Sequence, residues 1–187
     1  VVCVPASDLA RREGTADDLR DRRLLPLGDD AIEALTLEAG GRRLELRRAE
    51  GDEAGGWTLR TGDGADRPAD AEAVTAWLGE LRELRAEAFE PLEGDVPGHG
   101  LASPRATLTV ERTDAESSLP IRLGEVGEEG AWLRRGDEAA IVRFGAAAAA
   151  RLEVGPLRFR DRTLVDAEPG DARRVTVRRA GREERAV

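Results

Sequence analysis

The sequence contains no lysine, methionine, tyrosine, asparagine or glutamine, and its 187 residues include one cysteine, one histidine and 3% aromatics. The missing types share A/T-rich codons, so their absence reflects genomic codon bias rather than chemistry. It still excludes whole classes of site. Without lysine there is neither a P-loop nor a Schiff base. Cys3 cannot close a disulfide within the chain, and one cysteine with one histidine is too few for structural zinc. No apolar run approaches the roughly 18 residues that span a bilayer.

What is present is 40% hydrophobic and 36% charged. That suits one folded domain, or two, and is too apolar for a disordered chain. The 29 basic residues, all arginine, stand against 38 acidic ones for a net charge of −9, which argues against a nucleic-acid footprint. The one basic cluster, Arg173 to Arg185, reads as an exposed strand pair. Cys3 follows Val2, where a lipoprotein signal would carry a small residue, so a buried strand thiol is the better reading. The opening Val1-Val2-Cys3-Val4-Pro5 has no initiator methionine and no charged segment leading into an apolar one, as expected of a piece processed from a longer protein.

An internal repeat is visible. Arg20-Asp21-Arg22-Arg23-Leu24-Leu25 recurs as Arg160-Asp161-Arg162-Thr163-Leu164-Val165, and the same offset of 140 held over residues 1–47 and 141–187 gives 12 identities without a gap. Apolar positions match as well, among them Leu19 with Phe159 and Leu35 with Val175. A repeat this long is a domain duplication rather than a solenoid unit. Residues 1–26 are then expected to be the tail of a preceding copy, 27–166 a complete copy, and 167–187 the head of a following one.

Within the complete copy, 32–38 and 42–48 flank Ala39-Gly40-Gly41 as a hairpin. Trp57-Thr58-Leu59-Arg60 alternates, which puts Trp57 and Leu59 on one buried face. From Asp70, an N-cap with Glu72 in the first turn, Val74, Trp77, Leu78, Leu81 and Leu84 fall on one face of a helix running to about Arg85. Residues 91–104 make a proline- and glycine-rich loop. Segments 106–112, 119–123, 131–135 and 139–144 read as an antiparallel meander, and Ala146 to Leu152 as a short alanine-rich helix. The expected class is α+β: β3-α-β4-α per copy, helices packed on one face of antiparallel sheet segments, in a tandem repeat of about 140 residues.

The search for chemistry finds little. His99 is the only histidine and has no cysteine near it in sequence, so it reads as an ordinary loop side chain. Asp63-Gly64-Ala65-Asp66, with Asp70 and Glu72 nearby, lacks EF-hand spacing and reads as a solvated turn. No glycine run sits as G-x-G-x-x-G between a strand and a helix. No spacing singles out two of the 38 acids as a glycosidase pair. No catalytic, cofactor or metal residue is named, and no cofactor is implied. The Arg-Asp-Arg-x-Leu block, with Arg20, Asp21, Leu24, Arg160, Asp161 and Leu164, reads as an internal pair or cap fixing the connection between copies.

The order of Trp57-Thr58-Leu59, Ala69-Asp70-Ala71-Glu72-Ala73-Val74 with Leu78 and Leu81, Gly100-Leu101-Ala102-Ser103-Pro104 and Phe159-Arg160-Asp161-Arg162-Thr163-Leu164 resembles the bacterial domain-of-unknown-function 4340 family over roughly residues 20–166. His99 departs from it, standing where an aromatic is expected before Gly100-Leu101. So does the acidic and glycine stretch Gly127 to Gly130. The resemblance implies an extracytoplasmic, periplasmic-side module without known enzymatic activity. It would be tethered to the inner membrane by a helix outside this chain, beside ABC-2 type transporters or gliding-motility-type auxiliary proteins. The expected function is therefore a non-enzymatic accessory module that binds a protein partner, a transporter subunit or its auxiliary, and no nucleic acid. The alternatives are an envelope glycan hydrolase or lyase working through paired carboxylates, and a small-ligand binding domain.

Overall fold

In the computed structural model, which describes residues 19–49, 56–62, 64–91, 99–113, 118–138, 140–163, 175–179 and 182–186, the alternating segments become strands. They are β1 (Ile32–Ala39), β2 (Arg42–Arg48), β3 (Trp57–Thr61), β4 (Asp66–Ala69), β5 (Ala88–Pro91), β6 (Ala106–Arg112), β7 (Leu119–Gly127), β8 (Gly130–Arg135) and β9 (Ala140–Phe144). Helix α1 (Ala71–Glu83) lies between β4 and β5, and helix α2 (Ala147–Leu152) follows β9. A separate hairpin, β10 (Val175–Arg179) with β11 (Arg182–Ala186), ends the described chain.

The expectation of an α+β class is corrected here. All of β1 to β9 join one antiparallel sheet in the order β4-β3-β2-β1-β6-β7-β8-β9-β5, so the described fold is dominated by that sheet, with two short helices among the described residues, rather than being sheet segments faced by a helical layer. The expected tandem repetition is corrected with it, because this sheet is a single copy. The physical reason is the pairing of β1 with β6, from Leu35↔Val110 to Ala39↔Ala106. It fuses two strand groups that α1 and a long loop separate in sequence, and periodicity reports only pairings close along the chain. Strands β4 and β5 escaped notice because each is four residues long and neither alternates. They form the two sheet edges. Each carries a proline, Pro68 or Pro91, which removes an N–H from an edge open to pairing with another strand.

Local geometry nevertheless recurs at the offset of 140. The five pairs of β10 with β11, Val175↔Ala186 through Arg179↔Arg182, repeat the register of Leu35↔Leu46 through Ala39↔Arg42 in β1 and β2. In the first hairpin Gly40 and Gly41 have φ of 56° and 73°, the left-handed pair that a two-residue turn demands. Cys3 and Leu164 lie outside the described residues.

Helix α1 carries the core across the molecule. It starts where the Asp70 side chain accepts the Ala73 N–H at 3.0 Å and stops where Leu84 turns extended. Glu72 and Arg82 sit at the ends that suit their charges. It joins one sheet edge to the other, and its Val74, Trp77, Leu78 and Leu81 are fully buried in a core shared with Leu35, Leu46, Leu108 and Leu133. Trp57 and Leu59 face that core together, as their alternation requires. Each such side chain contributes about 1.5–3 kcal/mol by leaving water. Leu81→Ala is therefore expected to lower the unfolding free energy by about 2–5 kcal/mol. Urea titration followed by tryptophan fluorescence measures it, and an unchanged midpoint would show that the Leu81 side chain lies outside the core.

Candidate functional site

The two Arg-Asp blocks lie at opposite ends of α1. At its C-terminal end the first block runs antiparallel to the chain leaving the helix. The Leu24 N–H donates to Leu84 O at 3.1 Å and the Ala86 N–H to Arg22 O at 2.7 Å, with Arg23 opposite Arg85. Arg22 Nη1 also donates to the carbonyls of Ala86 and Glu87 at 3.2 and 3.3 Å. The guanidiniums of Arg20 and Arg22 stand 5.3 and 5.6 Å from the Phe89 ring centre. Behind the block, Leu24 and Leu25 are buried. At the N-terminal end, Arg160 lies opposite Ala69 and the Asp70 N–H donates to Phe159 O at 2.9 Å. Phe159 rests against Trp77 with ring centres 5.0 Å apart, and Trp77 Nε1 donates to Arg151 O at 2.7 Å.

Each block turns by the same device. Asp21 Oδ1 accepts the Arg23 N–H at 3.0 Å, and Asp161 Oδ1 accepts the Thr163 N–H at 2.8 Å, a side-chain mimic of a backbone turn. Their wider surroundings differ. Phe159 is fully buried, whereas Leu19, its counterpart at the offset of 140, is 86% exposed. Asp21 is also gripped by the Arg23 guanidinium, Nε to Oδ1 at 3.0 Å and Nη2 to Oδ2 at 2.7 Å. That grip and the Arg23 N–H lower its pKa from 3.8 to about 2. Asp161 is lowered by the Thr163 N–H.

One member of this arrangement escaped sequence reasoning. Arg135, 6% exposed, donates through Nη1 to Arg23 O and pairs with Glu138 at 2.9 Å. The signal was available: Ala131, Leu133 and Arg135 alternate onto one face of β8, which places the arginine with the core residues.

Gly100 and Leu101 dock the loop onto β7. The β7 register against β8 shifts between Leu123 and Val126, which releases the Glu125 N–H to donate to His99 O at 2.7 Å. A side chain at Gly124 would place its Cβ 1.9 Å from that same oxygen, and Gly100 has φ of 67°, so both glycines are needed for the two backbones to touch. Leu101 and Pro104 are half-buried. His99 stands edge-on to Trp132 with ring centres 4.1 Å apart and lies 3.6 Å from Glu90. Of the aspartates weighed for calcium, Asp66 is held bidentate by Arg60 at 2.7 and 2.8 Å, which lowers its pKa. Asp70 caps α1, and Asp63 lies outside the described residues.

An open hollow lies where the core reaches the β1–β2 turn. Leu37, Leu44, Val154 and Pro156 floor it, with Arg42, Arg43 and Glu153 at its rim and a volume of about 560 Å³. A second hollow of about 400 Å³, lined by Glu38, Arg43, Pro104, Arg105 and Thr107, shares the same turn. Arg43 pairs with Glu38 at 2.9 Å and Arg105 with Glu153 at 3.0 Å.

The family model described as domain of unknown function (DUF4340) matches residues 57–187, and the chain belongs to that family. The matched span starts at Trp57 and reaches residue 187, later at both ends than the 20–166 that the motifs suggested. No curated protein and no solved structure matches the chain.

The Asp21 turn has a pH signature. A carboxylate whose folded pKa is about 2 against 3.8 when free adds stability above pH ~4 and loses it as pH falls toward ~2. Because the side chain is 39% exposed, the effect stays below about 1 kcal/mol. Asp21→Asn is expected to be less stable than the parent by that amount near neutrality, with the gap closing toward pH ~2. Urea midpoints of both proteins across that range measure it, and a gap constant with pH would contradict the assignment.

Proposed function

We propose that the protein is a non-enzymatic interaction module that works outside the cytoplasm, tethered to the inner membrane and bound to a subunit or auxiliary protein of an ABC-2 type transporter or envelope assembly. The transporter association and the location come from the resemblance of the motif order. Among the described residues, no helix is long and apolar enough to cross a membrane.

The observation that carries the non-enzymatic reading is how the carboxylates are used. Asp21, Asp66 and Asp161 are all displaced toward the ionised form by guanidinium or backbone N–H partners, the opposite direction from a general acid that must hold a proton near neutral pH. Glu80 joins α1 to the segment that follows β9, through Arg158 at 2.5 Å and Arg151 at 3.9 Å. These acids work as struts. A small-ligand reading has one observation in its favour, since the hollow of about 560 Å³ falls in the range of ligand pockets, about 300–1,000 Å³.

Affinity capture from detergent-solubilised membranes, with this chain as bait, tests the proposal. Enrichment of a transporter subunit or envelope auxiliary protein is expected. Recovery of no envelope protein above background, together with turnover of a glycan that stops when two neighbouring acids are replaced, would replace this reading with the hydrolase.

A further inference from the structure

We infer that the turn between β1 and β2 is the docking surface, and that its occupant is an acidic protein segment that inserts an apolar side chain into the larger hollow. The inference rests on the interaction-module reading and names the surface that reading leaves open.

Three observations lead to it. The first is strand alternation. On β2, Arg42, Leu44 and Leu46 share one face, and Leu44 and Leu46 are buried. Arg42 therefore stands on the core face of the sheet, one step beyond the last buried leucine, and its charge sits at the mouth of an apolar hollow rather than on the outer surface. An apolar group entering the hollow would leave its neighbouring residues beside that guanidinium.

The second is charge. The larger hollow continues through Thr61 and Pro156 into a third, lined by Leu59, Arg67, Leu157 and Arg160. Their walls hold arginines at 42, 43, 105 and 160; Arg43 and Arg105 are paired with Glu38 and Glu153, and Arg42 and Arg160 exceed these carboxylates. This local excess of positive charge sits on a chain of net charge −9. Guanidiniums flanking an apolar floor complement a carboxylate-rich ligand with an apolar anchor, and they disfavour a basic one.

The third is shape, which selects a chain over a small molecule. The hollows lie on both sides of Gly40-Gly41, share Arg42 and Arg43, and offer about 560 and 400 Å³. Leu157, 69% exposed, extends the apolar floor at the far end. A compact ligand fills one hollow; an extended segment crosses the turn and contacts both. Charged partners that are only partly desolvated in this way give salt-sensitive binding.

The probe is a fluorescein-labelled peptide of alternating leucine and glutamate, with a leucine–arginine peptide of the same length as control, titrated against the full chain by fluorescence anisotropy at low and moderate salt. Binding of the acidic peptide, weakening with salt and at least tenfold tighter than the control, is expected. The Arg42→Glu/Arg43→Glu variant should lose at least tenfold in affinity while still unfolding in one cooperative urea transition, its midpoint lowered only by loss of the exposed Arg43–Glu38 pair. The more conservative Arg42→Gln/Arg43→Gln variant should lose less than the reversal does, which guards against misfolding. Equal binding of the two peptides, or full affinity in both variants, overturns the inference. An envelope partner that the membrane capture recovers equally with parent and charge-reversed bait would overturn the surface and leave the interaction reading standing.

Discussion

The enclosure of one amphipathic helix is the constraint on which the rest of this molecule depends. Trp77 is its centre: fully buried, tilted against Phe159 with ring centres 5.0 Å apart, and tied through Nε1 to Arg151 O at 2.7 Å. A tryptophan in such a place must satisfy its single N–H or bear the cost of a buried orphan donor. The chain after β9 is therefore bound to return over the helix. Phe159 and Arg160 then meet Ala69 and Asp70 at one end of α1, while Arg22 and Leu24 meet Leu84 and Ala86 at the other. Related sequence blocks thus seal opposite ends of one helix, each turned by an aspartate that accepts the N–H two residues on.

That arrangement also determines what faces outward. With α1 linking the sheet edges, the apolar floor opens near the β1–β2 turn, where Leu37 and Leu44 meet Val154 and Pro156. The proline-bearing edges offer a partner strand little purchase. A binding surface built on the turn, with arginines around an apolar floor, is consistent with a module in which described carboxylates such as Asp21, Asp66 and Glu80 partner its own arginines.

Much of the local structure was legible from spacing. The Asp70 cap, the buried face of Val74, Trp77, Leu78 and Leu81, and the shared face of Trp57 and Leu59 follow from periods of 3.6 and 2, which depend only on near neighbours in sequence. The union of β1 to β9 into one sheet was not legible, because the pairing of Leu35 with Val110 is decided by packing between segments distant in sequence and leaves no periodic mark. Strands β4 and β5 were invisible for a different reason: four residues that include a proline are too few to show a period. The Arg-Asp blocks could be found as a motif, but their placement at the two ends of α1 could not, since it follows from the return of the chain after β9. Arg135 follows Ala131 and Leu133 on the buried face of β8, but its charge argues for the surface, and its burial depends on the Arg23 carbonyl and Glu138, which lie far off in sequence or beyond the strand.

Amide hydrogen exchange under native conditions tests most directly whether the helix and its two closing segments behave as one unit. The Leu24, Asp70 and Ala86 amides, which donate to Leu84, Phe159 and Arg22 across the junctions, are expected to open with the same free energy as the amides of Leu78 and Leu81 within α1. Rapid exchange at Leu24, Asp70 and Ala86 while α1 stays protected would show that the helix is held by the sheet alone, and that the Arg-Asp segments only lie against its ends.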